Sequence, residues 1–344
     1  MAIERDRVTI FSGVRGGVSL GSPVAMMIRN RDWPNWRGVM DPEPGVDAGP
    51  PIRRPRPGHV DLAASMKYGY RDLRDGLERA SARETAARVA AGALASALLG
   101  AVGIRVISWT AALGEIEADP DTFPSGDDPG DLWSRWRARE EETALRCPDP
   151  ASEAEMTELI DRAAERGDTL GGVVEARVLG VPPGLGSHVQ SDRRLDGRLA
   201  GAVASIQGIK AVEIGAGFAG ARSPGSRVHD EIHPPTPGDG VPSRPTNRAG
   251  GIEGGITNGQ PVVVRAHMKP IATLGRSMAS IDLDTGSPIA SHHERSDVCA
   301  VPAAGVVVEA AVALCVADAL TEKFGADTLA EILASLQRFR EGLR

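Results

Sequence analysis

Aromatic side chains are scarce in this chain of 344 residues: Phe, Trp and Tyr together make up 3%. Core packing therefore falls to Ala, Val, Leu and Ile. Cysteine is scarcer still, with only Cys147, Cys299 and Cys315, widely spaced and odd in number. That excludes a disulfide framework and a zinc spacing, and it fits a reducing cytosol. An apolar leader is missing, since Met1-Ala2-Ile3-Glu4-Arg5-Asp6-Arg7 carries charge from Glu4 onward, so no secretory signal is expected. Long apolar runs are missing too. The longest uncharged stretch, 89–104, is too short and too rich in Ala and Gly to span a bilayer. Positive charge is in deficit, with a formal net charge of −7, which argues against nucleic acid as a partner. A cytoplasmic protein with no membrane role is expected.

What is present reads as a globular enzyme-sized chain, with 41% hydrophobic and 25% charged residues. Residues 7–11 and 24–28 are β-prone, with Gly13, Gly16 and Gly17 between them. Residues 41–58 hold six prolines and three glycines and are expected to be a loop; residues 115–145 and 234–245 are expected to be two more. Ser81, three residues before Glu84, is the signature of a capping box opening an Ala- and Leu-rich helix over 85–99. Residues 150–166 read as an amphipathic helix and 170–179 as a strand. Leu195, Leu199 and Val203 recur at i, i+4, i+8, the buried stripe of a helix. Strands are expected at 209–214 and, after the Asn258-Gly259 turn, at 261–268. A long buried helix runs over 305–324, stopped by Gly325. No repeat is visible. Short strands thus mix with long Ala-rich helices.

Three features point to an anionic ligand. The first is the helix start at Ser81, whose free N–H groups and positive dipole end suit a phosphate, with Arg79 and Arg83 alongside. Arg83, Glu84 and Arg88 read equally well as a solvated face, with Glu84 and Arg88 paired at i, i+4. The second is the glycine-rich run 248–259, which lacks both the Walker ending and the Rossmann spacing. It admits close backbone approach to a ligand, and equally a plain tight connection. The third is Arg53-Arg54-Pro55-Arg56-Pro57-Gly58-His59. Proline restricts the backbone there, setting Arg56 and His59 in a fixed relation, and a histidine passes protons in either direction near neutrality. His229 and His233 have i, i+4 spacing but are followed by Pro234-Pro235 and have no third partner, so a surface loop is expected rather than a metal site.

Taken together, these segments resemble the chorismate synthase family over about Ile3 to Ile332. The strongest stretches are 56–61, 66–91, 168–186, 192–217, 248–270 and 295–304. The resemblance implies an α+β fold, a single large β-α-β sandwich domain over 1–344, assembled as a homotetramer. It implies a lyase that removes phosphate from 5-enolpyruvylshikimate 3-phosphate by 1,4-anti elimination, giving chorismate, with reduced FMN (FMNH2) as cofactor. Two phosphates and two carboxylates would then meet in one pocket, and arginine forks suit such groups. By the same resemblance, His59 is placed to protonate the reduced flavin and Asp297 to take the proton near its N5. Arg56 and Arg83 are implied to bind substrate. Arg79, Ala80, Ser81, Gln207, Gly208, Gly254, Lys269, Pro270, Ile271, Ala272, Thr273 and Arg295 match flavin-contact positions.

The departures are specific. The family opens with a strand carrying Gly-Glu-Ser-His-Gly and then an arginine-rich helix, and neither run occurs here, so an N-terminally shortened member is expected. That helix contributes to binding NAD(P)H where a member reduces its own flavin. Two other readings follow from the departures: an FMN-binding paralogue acting on a different anionic cyclohexene, or a non-catalytic partner mixed with an intact homologue.

Overall fold

The structure, a computed structural model, describes residues 6–46, 48–124, 128–235, 242–292 and 296–343. Two compact units are formed. The first comprises Met1–Ala90, Arg162–Thr169 and Ile271–Val298; the second comprises Ala91–Asp161, Leu170–Pro270 and Cys299–Arg344.

In the first unit, Val8–Ile10 pairs antiparallel with Met26–Ile28, Val8 facing Ile28, so both expected strands form. Among its described residues, the proline-rich stretch 41–58 is without helix or strand. Proline has no N–H to give a ladder and disfavours a helical residue before it, which accounts for this. Two helices follow, Asp61–Tyr68 and Arg74–Arg79. The hairpin Ala279–Ile281 with Pro288–Ala290 closes the unit.

The second unit is built on one antiparallel five-stranded sheet, in the order Ile116–Glu117, Arg105–Leu113, Gly172–Leu179, Val262–Met268, Ile209–Ile214. The expected helix over 305–324 runs over Val301–Phe324, with Pro302 in its first turn and Gly325 at its end. It packs on the Arg105–Leu113 and Gly172–Leu179 strands and on the helix Leu195–Ala204. Leu195, Leu199 and Val203 are fully buried, as the i, i+4, i+8 stripe requires. By length and composition Val301–Phe324 is apolar enough to cross a membrane, but 67% of its most apolar stretch is buried in the fold. It is a core helix. The helix Thr85–Ala101 reaches the same core through Gly92, where a Cβ would stand 2.4 Å from the Ala310 Cβ. Only glycine permits that approach.

One expectation fails. Residues 115–145, read as a loop, contain the helix Pro129–Glu142. Asp128 caps it by accepting from the Asp131 N–H at 2.6 Å, and Pro129 stands in its first turn. Its buried residues are Leu132 and Trp136, spaced i, i+4. The charged majority of the segment hid this narrow apolar stripe. Scarcity of aromatics misleads here as well, because the few are concentrated: Trp109 stacks on Phe123 at 4.1 Å and meets Trp136 edge-on at 6.2 Å.

Candidate active site

The Pro55-Arg56-Pro57-Gly58-His59 segment leads directly into the helix Asp61–Tyr68, and that junction gathers the charged groups. Asp61 is 1% exposed and Arg56 is 6% exposed. The Arg56 backbone N–H donates to Asp61 Oδ2 at 3.0 Å, its Nε to the same oxygen at 2.9 Å, and its Nη2 to Oδ1 at 3.2 Å. Nη1 donates to the hydroxyl of Thr273 at 3.1 Å, 217 positions away in sequence. The Nδ1 of His59 makes a short contact with Asp61 Oδ1 and lies 3.0 Å from Arg56 Nη2. Burial pushes the Asp61 carboxyl up, but the hydrogen bonds from His59 and Arg56 outweigh it and hold the group far below the usual carboxylate range. Asp61 is therefore ionised at any physiological pH. Sequence reasoning gave it no role. The signal was there, in an aspartate two residues after the histidine at a helix start.

Arg56 thus already grips a carboxylate belonging to the protein. Arg83 does likewise. Its fork is bidentate on Asp6, Nη1 to Oδ2 at 2.7 Å and Nη2 to Oδ1 at 2.8 Å, with both side chains partly exposed. Those bonds hold the Asp6 carboxyl below its ordinary value.

The start of the Thr85–Ala101 helix is preceded by a 3-10 turn, Ala82–Glu84. Ser81 caps it by accepting from the Arg83 N–H at 3.3 Å, one residue earlier than a capping box predicts. The Glu84 carboxylate takes Arg88 Nε at 2.8 Å, the i, i+4 pair. Ala80 ends the Arg74–Arg79 helix, its N–H donating to Gly76 O at 3.1 Å, and Arg79 is exposed. Thr169 Oγ donates to Ile271 O at 2.7 Å, tying down the segment Ile271-Ala272-Thr273. Thr273 and Asp297 both line a cavity of about 510 Å³, with Asp168, Thr169, Gly275 and Ser296. Arg295 lies outside the described residues.

The second unit holds the other expected positions. The Lys269 N–H donates to Gly208 O at 2.9 Å, so Gln207-Gly208 and Lys269-Pro270 meet at one edge of the sheet. Burial lowers the Lys269 ammonium, and the positive charge of Lys210 lowers it further. The glycine-rich run folds as a hairpin, Ile252–Glu253 with Ile256–Thr257, turned through Gly254 (φ +59°) and Gly255 (φ +86°). Two successive left-handed residues are what a tight primed turn needs, so the tight-connection reading of this run is observed.

A buried carboxylate pins a histidine and an arginine on an α+β scaffold, with a second carboxylate on a cavity of the same unit, an arrangement suited to an enzyme handling protons beside anions. Comparison with known proteins agrees. The chain belongs to the chorismate synthase family, whose model matches residues 1–321, and it is therefore a lyase. It is 54% identical over 345 residues to a chorismate synthase of Desulforudis audaxviator, covering 100% of this chain and 86% of the relative. A chorismate synthase of Salinispora tropica is 52% identical over 351 residues, covering 100% of this chain and 87% of the relative. A crystal structure of chorismate synthase superposes with a TM-score of 0.77 at 42% identity, covering 98% of this chain and 85% of that one. That likeness carries the expected fold class.

Proposed function

We propose that this chain eliminates phosphate from 5-enolpyruvylshikimate 3-phosphate to give chorismate, with reduced FMN. The observation that carries the reading is the His59–Asp61–Arg56–Thr273 cluster, whose Thr273 shares a cavity with Asp297. A 1,4-anti elimination breaks a C–H and a C–O bond, so the residues must accept one proton and tolerate a departing phosphate. Asp297 is exposed on its cavity and not screened by any described ion pair, which suits a carboxylate that takes up the released proton. His59 is half-buried and keeps one ring nitrogen for proton exchange while Asp61 holds the other. The Arg83 fork shows by its hold on Asp6 that it fits a carboxylate bidentately, so a substrate carboxylate would bind there by displacing Asp6.

Residues of each unit, taken by themselves, fit an anionic flavin. Lys210 and Lys269 repel each other, and a phosphate beside them would offset that repulsion. The N–H groups of the capped turn after Ser81 are equally suited to an anion. When bound, reduced FMN supplies electron density while phosphate leaves and takes it back, so the reaction has no net redox change. NAD(P)H would serve as reductant only in a member able to reduce its own flavin. We further infer a cytoplasmic homotetramer. Apolar surface supports association, Phe11 being 63%, Val18 67% and Leu20 60% exposed. A net charge of −7 argues against nucleic acid and leaves the binding of a small anionic substrate to local arginines.

Titration with FMN tests the cofactor reading. Saturable quenching of flavin fluorescence is expected, weakened at least tenfold in the double variant Lys210→Ala, Lys269→Ala, since loss of two charge contacts to a phosphate removes about 1.5–3 kcal/mol. Quenching absent from the native protein would contradict it.

A further inference from the structure

We propose that Asp61 is a positioning residue that fixes the tautomer and orientation of the His59 ring, with Arg56 and Thr273 holding Asp61 in place. The inference rests on the reading above that His59 is the ring that exchanges protons.

The ring nitrogen Nδ1 faces two groups with opposite demands. Asp61 Oδ1, in short contact, needs a donor; Arg56 Nη2, 3.0 Å away, needs an acceptor. Neither can change its character, because a guanidinium does not release its proton and Asp61 is held ionised. Three observations decide for Asp61. First, Arg56 has other acceptors for every nitrogen: Nε and Nη2 reach the two Asp61 oxygens and Nη1 reaches Thr273 Oγ1. Second, Nη2 lies 3.0 Å from Nδ1 and 3.4 Å from Nε2. The two nitrogen lone pairs diverge across the ring, so an atom nearly equidistant from both nitrogens is off the axis of each. Arg56 stands beside the ring as a charge and is poorly aimed as a donor. Third, the alternative tautomer would press the Nδ1 lone pair against a carboxylate lone pair at a site where Asp61 is 1% exposed, with no water to intervene.

Nδ1 therefore carries a proton donated to Asp61, and proton exchange is confined to Nε2. A carboxylate doing this must not itself turn. Arg56 clamps both of its oxygens and is anchored in turn by Thr273, on the segment that lines the cavity with Asp297. The network anchored on Asp61 thus ends at the cavity that Asp297 also lines, within the first unit.

The substitution Asp61→Asn keeps the shape and changes the instruction. Arg56 would claim the single carbonyl oxygen of the amide, turning its NH2 toward Nδ1 and forcing the proton onto Nε2. The test is 15N NMR of the imidazole rings in the protein without substrate, at a pH where they are neutral, with His59 assigned by its loss in His59→Gln. The native ring is expected as the Nδ1–H tautomer and the Asp61→Asn ring as the Nε2–H tautomer. Steady-state kinetics with reduced FMN should show kcat lower by about 10²- to 10⁴-fold, the scale of a misdirected general acid or base, and KM within about threefold, as expected when ground-state binding is untouched. An Nε2–H native ring overturns the proposal, and that measurement does not depend on Asp61→Asn folding. An Asp61→Asn enzyme with native kcat overturns it as well. A native protein with the Nδ1–H tautomer but no turnover would leave the positioning intact and sink the functional reading instead.

Discussion

His59→Ala is expected to lower the turnover number by about 10²- to 10⁴-fold, the usual contribution of a positioned proton donor or acceptor. The ring is 22% exposed, and its one short polar contact is with Asp61. Removing it leaves Arg56 and Asp61 paired with each other by three side-chain and main-chain bonds. The variant should therefore fold with nearly native stability and bind FMN with nearly native affinity, losing kcat far more than KM. Rapid-mixing measurement of chorismate formation under anaerobic conditions checks this. A variant that keeps more than about a tenth of native kcat would remove His59 from the chemistry, since that loss falls below the range for such a group.

Asp61→Ala should fail in a different way, through stability. It strips the counter-charge from an arginine that is 6% exposed. Breaking a buried pair by removing one partner costs about 3–5 kcal/mol, because the remaining charge is left dry and uncompensated. Thr273 would still accept from Nη1, but its hydroxyl carries no charge to balance the guanidinium. Denaturant midpoints of the two variants should separate clearly, with Asp61→Ala well below both native protein and His59→Ala. The pH dependence follows from the sign of the shift. The folded Asp61 carboxyl titrates far below its unfolded value, so its stabilisation is present above roughly pH 4, the ordinary aspartate range. It is lost as pH falls through the folded value. Stability of the native protein should decline on acidification below about pH 4, and the Asp61→Ala protein should show a flatter acid limb because it lacks the group. Equal midpoints for Asp61→Ala and native protein would show that the pair contributes nothing.

Much of the scaffold was legible because it rests on local patterns. The Leu195, Leu199, Val203 stripe, the Ile209–Ile214 strand and the glycine stop at Gly325 all follow from periodicity or backbone preference, and the structure has each of them. The Pro129–Glu142 helix was not legible, since two buried residues in a charged segment give a weak periodic signal. The site divides along the same line. Arg56 and His59 stood out as residue types, set three apart beside prolines. What Arg56 does depends on Thr273, 217 positions away, and what Arg83 holds depends on Asp6, 77 positions away. No local pattern encodes such contacts. Asp61 was missed for a subtler reason: its role is carried by burial, and a short acidic residue at a helix start reads by default as a favourable dipole contact.

The central claim is that the residues of this chain, with reduced FMN, convert 5-enolpyruvylshikimate 3-phosphate to chorismate. The direct measurement is anaerobic incubation of the purified protein with that substrate and chemically reduced FMN, following chorismate and inorganic phosphate together. Equal amounts of both products, abolished by omitting the flavin and strongly depressed in His59→Ala, are expected. Tight flavin binding with neither product formed would contradict it.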